Sequence, residues 1–316
     1  MEFSEQLRKL KDITLYVKTC HKCQISKTTT HVKSPLTITP TPVQAFDTVF
    51  VDTIGPFPRS IDGNEYAITL LCDLTKYLVT IPIHDKQAKT IAKAIFEHHI
   101  LIYGPMKTFI SDMGTEYKNA ILTELCDLLK INRLTSTAHH HQTLGTVERS
   151  HRTFNEYVRS YISIDKNDWD EWLKYFTYCF NTTPSTVHNY CPYELIFAKL
   201  PNSFTQFNEV DRISPLYNVD NYAKEVKFRL EVANKRAQLL LNKHKQNQKL
   251  VYDRNSIDIS LKAGDLVLLK NETGHKLEQQ YKGPFTIKKI LLRNNVQKID
   301  NRTNKEQIVH KNRLKK

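Results

Sequence analysis

Short apolar runs and segments of helical periodicity alternate along the middle of the chain. Three runs rich in Val, Ile, Thr and Tyr come first, separated by Gly or Pro, and they predict consecutive strands at 46–54, 65–74 and 77–83. After a helical segment, two further strand-like runs follow at 107–111 and 131–136. Three strands followed by alternating helices and strands predict a layered α/β domain.

Helical periodicity extends well beyond this domain. Apolar residues recur every three or four positions in segments that predict helices at 88–102, 117–128, 147–161, 169–180, 191–198 and 221–250. The last of these is rich in Lys, Arg, Gln and Asn, and its pattern fits a solvated linker helix and a DNA-facing helix equally well. Four β-type runs separated by turn residues then predict a small barrel, at 266–270, 285–292, 296–300 and 307–310.

Charge is distributed unevenly along the 316 residues. The 46 Lys and Arg against 33 Asp and Glu give a formal net charge of +13. Residues 221–316 hold 23 of the basic and 9 of the acidic side chains, so the excess lies in the last third of the chain. A basic segment of this kind favours an anionic partner.

The same composition excludes several classes of protein. No run approaches the roughly 18 apolar residues of a membrane-spanning helix, and the first 30 residues lack a signal peptide's apolar core, so no membrane partner is expected. The six cysteines are scattered except for Cys20 and Cys23, which argues against a disulfide framework. We therefore expect the protein in a reducing compartment, the cytosol or the nucleus.

Three carboxylates stand where strand ends and helix faces are expected to expose them: Asp52, Asp112 and Glu148. Each alone is more often a turn or capping residue than a catalytic one. Gathered at one edge of a sheet, they would suit hard divalent cations such as Mg²⁺, which prefer oxygen ligands. Two such ions could activate an attacking oxygen and stabilise the leaving oxygen of a phosphodiester.

The helix predicted around Glu148 has two distinct faces. Its polar face consists of Glu148, Arg152, Asn155 and Arg159. Its apolar face, expected against the core, consists of Val147, Phe154, Val158 and Tyr161. We interpret the polar face, together with Arg149, as a set of DNA contacts in which the arginines hold phosphates. The alternative is a simple surface pair between Glu148 and Arg152.

Several segments resemble the integrase family of retroviruses and gypsy-class LTR retrotransposons. Asp52, Asp112 and Glu148, with 35 residues between the last two, are similar to the family's DDE triad. Residues 141–149 resemble the family's stretch around the triad glutamate, and 181–197 resemble the continuation of its core. Residues 281–285 resemble its GPY/F signature, and 309–315 resemble its closing string. Together the segments are far more specific than any single motif.

The resemblance implies an architecture for nearly the whole chain. It implies an RNase H-like catalytic core, a mixed five-stranded sheet with flanking helices, followed by a linker helix and a small SH3-like barrel of the GPY/F type. The implied ranges are a zinc-module remnant at 1–33, a linker at 34–43, the catalytic core at 44–203, a linker with the long basic helix at 204–255 and the basic barrel at 256–316.

The resemblance also implies an activity, that of a polynucleotidyl transferase. Water first trims each 3′ end of the element's DNA, and the freed 3′ hydroxyl then attacks a target phosphodiester. Asp52, Asp112 and Glu148 carry over as catalytic ligands of two Mg²⁺ or Mn²⁺ ions. The implied partners are double-stranded DNA of the element ends and the target, further copies of the chain in an active homo-oligomer, and chromatin. The implied location is the nucleus, after synthesis in the cytoplasm.

Cys20 and Cys23 have the two-residue spacing of half a zinc site. The family's N-terminal module supplies a His pair upstream, whereas no histidine precedes Cys20 here. His21 or His31 could substitute, but we do not expect an intact tetrahedral Zn²⁺ site, and we interpret the two cysteines as remnant ligands of a truncated module. The histidines at 139–141 are interpreted as a substrate-contacting loop.

The C-terminal barrel has its own charge pattern. Between Lys262 and Lys316 there are 14 basic and 5 acidic residues, which favours binding to the DNA backbone without sequence specificity over a basic tail kept for solubility. The predicted DNA contacts here are Lys282, Lys288 and Lys289. Tyr281 and Phe285 are expected to be structural.

Two rival functions stay open on the sequence. One is a catalytically silent, truncated or domesticated DNA-binding protein derived from an integrase, and the three carboxylates with their triad spacing weigh against loss of the core's chemistry. The other is a DDE transposase that moves DNA without an RNA intermediate. The GPY/F-like ending would be unexpected in such an enzyme.

Overall fold

The chain folds into two compact units. The computed structural model describes residues 2–26, 34–35, 38–112, 114, 116–135, 145–201, 219–254, 256, 260–271, 278–291, 294–301 and 303–315, and their side chains except those of 2–9, 145–148 and 219–223. The core unit is Thr39–Asn247, and the terminal unit is Met1–Ile38 with Gln248–Lys316. The five domain ranges implied by the resemblance stay predictions.

From residue 88 onward the helices follow the predicted order along the chain, whereas the two helices before it were not predicted. The α-helices are α1 (Glu2–Thr19), α2 (His21–Ser26), α3 (Ala88–Ile95), α4 (Leu101–Tyr103), α5 (Ala120–Leu128), α6 (Gly145–Tyr161), α7 (Trp169–Thr182), α8 (Pro192–Phe197) and α9 (Val219–Asp253). A π-helix joins α3 to α4 at Phe96–Ile100, and a 3₁₀ turn lies at Lys311–Arg313. Within the described residues, no helix combines the length and the apolar character needed to cross a bilayer.

The strands form two separate sheets. They are β1 (Thr48–Ile54), β2 (Tyr66–Cys72), β3 (Leu78–Ile83), β4 (Thr108–Ser111), β5 (Asn132–Thr135), β6 (Leu266–Lys270), β7 (Tyr281–Ile290), β8 (Asn295–Ile299), β9 (Glu306–His310) and β10 (Leu314–Lys315). The core unit holds β1 to β5, and the terminal unit holds β6 to β10.

The sheet of the core unit is mixed. Its order is β3-β2-β1-β4-β5, with antiparallel pairing among β1, β2 and β3 and parallel pairing of β4 with both β1 and β5. This topology confirms the predicted RNase H-like α/β fold. Because β1 and β4 run parallel, residues at their carboxyl ends meet at the same edge of the sheet.

The two faces of this sheet carry different apolar clusters. Val49 and Val51 are buried in the cluster that includes the side chains of α3. Phe50, between them on the strand, is buried in the other cluster with Phe154 of α6. Since side chains alternate along a strand, Asp52 lies on the same face as Phe50, the face that α6 covers.

Helix α9 packs on the core unit through its central turns. Ala237 is fully buried, and Leu241 is 2% exposed within the cluster that also holds Val49. One turn further, the Lys245 ammonium lies 2.8 Å from a carboxylate oxygen of Asp73, whose other oxygen lies 2.9 Å from the Lys76 ammonium. This buried group of three charges fixes α9 to the sheet, which neither sequence interpretation of the helix anticipated.

A buried histidine lies in the π-helix between α3 and α4. The His99 side chain is fully buried, and neither ring nitrogen has a hydrogen-bond partner among the described residues. Its ring packs edge-on against Phe46 at a centroid distance of 5.1 Å. Burial lowers the pKa of His99 to about 4, so the folded state keeps the ring neutral at pH values where the unfolded chain protonates it.

Acid is therefore expected to destabilise the core unit through this residue. As pH falls below 6.5, His99 becomes protonated in the unfolded chain but stays neutral in the folded protein until about pH 4. This difference lowers the free energy of unfolding by about 3 kcal/mol between these two pH values. We expect His99→Leu to lose less stability over this window than wild type. Urea unfolding at pH 7 and pH 4.5 measures the difference, and equal losses in both proteins would contradict the prediction.

The second sheet is antiparallel throughout. Its order, β10-β6-β7-β8-β9, is the strand order of an SH3-like barrel, with the 3₁₀ turn between β9 and β10. Its apolar cluster includes Val267, Ile287 and Val296. This agrees with the predicted small β domain.

The terminal unit joins residues from both ends of the chain. The Ser34 amide donates to Asn312 Oδ1 at 2.6 Å, and the Lys315 ammonium donates to the Gln24 carbonyl at 3.0 Å. Ile25 of α2 is 6% exposed, so this short helix also contributes apolar packing. Residues far apart in sequence therefore complete one unit.

Candidate active site

Asp52 and Asp112 stand beside each other on adjacent parallel strands. Phe50 of β1 is in register with Ile110 of β4, and each aspartate follows that pair by two residues. Asp52 lies within β1, whereas Asp112 directly follows the last residue of β4. The sheet therefore brings two of the three predicted carboxylates to one edge.

Local backbone groups hold both carboxylates. One oxygen of Asp52, Oδ1, accepts a hydrogen bond from the Thr53 amide at 2.9 Å, and the Asp52 side chain is 20% exposed. Asp112 Oδ1 accepts from the Gly114 amide, also at 2.9 Å. Backbone amides therefore fix the orientation of one oxygen of each carboxylate.

A buried tyrosine lies under this edge. Tyr117 is fully buried, and its hydroxyl lies 2.5 Å from Thr53 Oγ1. Burial raises the pKa of the Tyr117 phenol well above its ordinary value, and the charges of Asp52, Asp112 and Glu116 raise it further. The phenol is therefore neutral, and three carboxylates lie within electrostatic range of it.

Glu116 is a carboxylate that the sequence analysis did not single out. A Cβ added at Gly114 would lie 2.6 Å from Glu116 Oε2 and 3.0 Å from Asp112 Oδ1. The glycine thus leaves room for the two carboxylates on either side of it.

Helix α6 carries the third predicted carboxylate, Glu148. The helix begins at Gly145, which places Glu148 in its first turn. The Glu148 side chain lies outside the described side chains, as do the predicted substrate-contacting histidines at 139–141. The complete triad therefore stays a prediction. Of its three members, the described part of the structure brings Asp52 and Asp112 together.

His151, one turn after Glu148, makes the contact between α6 and Asp52. Its Nε2 lies 2.7 Å from the hydroxyl of Thr69, the residue opposite Asp52 on β2. Its Nδ1 lies 3.7 Å from Asp52 Oδ2. Burial lowers the pKa of His151 to about 4. Sequence reasoning missed this residue, although it falls four positions after Val147 on the apolar stripe of the helix.

The predicted polar face of α6 is largely exposed. Arg149, Arg152 and Arg159 are exposed, and Asn155 is partly buried. Arg152 lies 3.9 Å from Glu156, with both side chains more than 60% exposed, so this ion pair contributes little to stability. The DNA contacts assigned to this face stay predictions.

One residue of the predicted apolar face lies elsewhere. Phe154 and Val158 are buried as expected, but Tyr161 is 54% exposed. It stacks on Trp172 of α7 at a centroid distance of 5.3 Å instead of entering the core. The prediction that Tyr161 packs against the core is therefore wrong, because α7 supplies an aromatic partner at the surface.

The described residues provide no complete metal site. No group of three or more His, Cys, Asp or Glu side chains suited to a metal ion occurs among them, and Glu148 is outside that set. Cys20 and Cys23 lie close together where α1 gives way to α2. Hydrogen bonds from the backbone and side chain of Cys23 lower the pKa of the Cys20 thiol. Their role as remnant zinc ligands stays a prediction.

The predicted lysines of the barrel lie exposed on β7. Lys282, Lys288 and Lys289 are exposed, and Lys288 forms an ion pair with Glu306. Tyr281 is 8% exposed, and Phe285 packs against the apolar cluster of the sheet, which confirms their structural role. A buried lysine, Lys298, places its ammonium 3.2 Å from the centre of the Phe285 ring.

Known proteins resemble the chain both in sequence and in fold. It is 64% identical over 306 residues to the retrovirus-related Pol polyprotein from transposon 412 of Drosophila melanogaster, a match covering 97% of this chain and 25% of that protein. It is 30% identical over 190 residues to gypsy retrotransposon integrase-like protein 1 of Bos taurus, covering 60% of this chain and 38% of that protein. The chain belongs to the gypsy-class retrotransposon integrase family.

A solved structure is similar to the chain in fold. A chain of the cryoEM structure of the simian T-cell lymphotropic virus intasome, in complex with PP2A regulatory subunit B56 gamma, matches 97% of this integrase-family chain. That match covers 90% of the other chain, with a TM-score of 0.61 and 12% sequence identity, so it supports the fold. No protein-family model matches the sequence. The chain spans about a quarter to two fifths of the sequence relatives' own lengths.

Proposed function

We propose that the chain is the integrase of a gypsy-class retrotransposon, which processes the 3′ ends of the element's DNA and joins them to target DNA. One observation carries the proposal: the parallel pairing of β1 and β4 brings Asp52 and Asp112 to one sheet edge, beside the helix that bears Glu148. Membership of the integrase family supports the same assignment.

The donor atoms at this edge fit a hard divalent cation. Asp52 and Asp112 present carboxylate oxygens in partly exposed positions, the ligand type that Mg²⁺ and Mn²⁺ take, and Glu148 would supply the third carboxylate. When bound, two such ions stabilise the charge that develops on the phosphodiester during in-line displacement.

The protein's own residues orient the reactants. Pairing of β1 with β4 fixes the two aspartates relative to each other, and the backbone amides of Thr53 and Gly114 hold their oxygens. The Tyr117 phenol contacts the Thr53 hydroxyl at this edge. Because its pKa is raised well above the ordinary value, it stays neutral and does not act as a base toward the substrate. The exposed arginines of α6 would hold phosphates of the DNA backbone.

The basic last third of the chain is proposed to supply most of the affinity for DNA. Exposed Lys282 and Lys289 on β7 fit contacts to phosphates, which carry no sequence information. The active form is proposed to be a homo-oligomer that works on chromosomal DNA in the nucleus.

Strand transfer in solution tests the proposal. The protein is incubated with Mn²⁺, a labelled duplex that ends in the element's terminus, and a supercoiled plasmid, for wild type and Glu148→Gln. We expect joined product from wild type alone, because the amide removes one anionic ligand. DNA binding should persist in both proteins and weaken steeply with salt.

The opposite result has a clear meaning. Tight, salt-sensitive DNA binding without joined product from wild type would contradict the proposal and favour the silent DNA-binding alternative. Product from both proteins would show that Glu148 is not part of the site.

A further inference from the structure

We propose that His151 is a positioning residue that holds the Asp52 carboxylate in the orientation required to bind a divalent cation. The inference rests on the proposed function, because that function makes Asp52 a metal ligand. It concerns a residue outside the carboxylate triad.

His151 occupies a place on α6 that an apolar residue would ordinarily take. It precedes Phe154 by three positions and Val158 by seven, so the three share the stripe of α6 that packs on the sheet. Phe154 and Val158 are buried, and only 12% of the His151 side chain is exposed. An imidazole in such a position costs free energy unless its nitrogens interact with polar groups.

Thr69 fixes the far side of the imidazole ring. Its hydroxyl lies 2.7 Å from His151 Nε2 and 3.1 Å from the main-chain oxygen of Asp52. Thr69 is 2% exposed and directly opposite Asp52 in the β1–β2 register. The ring is therefore tied to the backbone of the same residue whose carboxylate it faces.

The near side of the ring faces that carboxylate. His151 Nδ1 lies 3.7 Å from Asp52 Oδ2, while Oδ1 is held by the Thr53 amide. The two carboxylate oxygens thus have different neighbours, a backbone amide for Oδ1 and the imidazole for Oδ2. Because the Thr69 hydroxyl holds the ring in place, the ring limits the orientations open to the Asp52 carboxylate.

The position of His151 also links two of the proposed ligands. It lies three residues after Glu148, and residues three apart are neighbours on a helix surface. A single turn of α6 therefore carries one proposed ligand and the support of another. Groups that contact a ligating side chain typically change metal affinity about 10- to 100-fold when replaced.

Binding of Mn²⁺ alone to the full chain, followed by electron paramagnetic resonance, tests this role without DNA or turnover. We expect His151→Leu, which suits an apolar stripe, to bind Mn²⁺ about tenfold more weakly than wild type. His151→Asn places its amide near the position of Nδ1, and should stay within about threefold of wild type. His99→Leu is the matched control, a buried histidine in the other apolar region without a described contact to Asp52, and should bind as wild type does.

Each outcome separates this inference from the function on which it rests. If Asp52→Asn and Asp112→Asn lose Mn²⁺ binding while His151→Leu keeps wild-type affinity, His151 has no positioning role. If the aspartate variants also keep wild-type affinity, the proposed metal site is wrong and the inference fails with it. Should His151→Leu not fold, Thr69→Val, which removes the hydroxyl that holds the ring, decides by the same measurement.

Discussion

Replacement of Asp112 by Asn is expected to reduce strand transfer by roughly 10³-fold, because each bound ion supplies several kcal/mol of charge stabilisation to the transition state. The amide keeps the size of the side chain, and its oxygen can still accept the hydrogen bond from the Gly114 amide. The fold should therefore persist. Joined DNA is measured with the labelled duplex and plasmid, alongside circular dichroism and thermal unfolding.

Glu116 provides a matched control for this prediction. Its carboxylate and that of Asp112 lie on either side of Gly114, so both contribute negative charge to the same edge. Asp112 follows a strand paired with β1, whereas Glu116 lies in the turn that follows. We expect Glu116→Gln to stay within about fivefold of wild type, since screened charges at a distance have modest effects. An equal loss in both variants would place Glu116 among the ligands.

Loss of the buried charge at Asp73 is expected to destabilise the core unit by about 3 to 5 kcal/mol, because it leaves buried ammonium groups without their carboxylate. Asp73 is 3% exposed and lies within 2.9 Å of both the Lys76 and Lys245 ammonium groups. Although burial raises the pKa of the Asp73 carboxyl, the two lysines outweigh that effect and hold the pKa below its ordinary value. Urea unfolding of Asp73→Asn at pH 7 measures the loss.

An ion pair of similar length with an exposed lysine is the control for Asp73. Lys107 lies 2.8 Å from Asp47, but its side chain is 69% exposed, so Lys107→Ala should cost less than about 1 kcal/mol. Hydrogen exchange adds a local readout, because Asp73→Asn should increase exchange in the turns of α9 around Leu241 and Lys245. A loss no greater than that of Lys107→Ala would show that the buried group does not stabilise α9 on the sheet.

The pattern of apolar residues was sufficient to predict the strand order along the chain and most helices. It failed where burial occurs without regular structure. Tyr117 was expected as the first residue of a helix, but α5 begins at Ala120 with Asn119 as its cap, and Tyr117 is buried in the turn before it. Spacing alone does not distinguish a buried turn residue from the first turn of a helix.

Other departures came from packing between elements. A continuous helix was expected over 88–102, whereas the structure inserts a π-helix at Phe96–Ile100, which places His99 in the core. The long helix was expected to be solvated or to face DNA, but Ala237 and Leu241 are buried in the core. These details depend on the element against which each helix packs, and the periodic pattern of one helix carries no information about that element.

The candidate site was predictable only in part. Asp52 and Asp112 stood out because the first lies within a strand-like run and the second closes one, and because the spacing of Asp112 and Glu148 resembles a known triad. His151 and Glu116 did not, since a histidine within a helix and a glutamate in a turn are ordinary residues. The importance of His151 depends on the register that sets Thr69 opposite Asp52, a long-range pairing that local sequence does not reveal.

The order of synthesis on the ribosome imposes an order of folding on the two units. The core unit is contiguous, so all of its residues are available once Asn247 has emerged. The terminal unit can complete its contact between Gln24 and Lys315 only after Lys315 has emerged, 291 positions after Gln24. Contacts of such high sequence separation form slowly. During translation, Ile25 and the rest of α2 therefore remain without their C-terminal packing partner while the core unit folds.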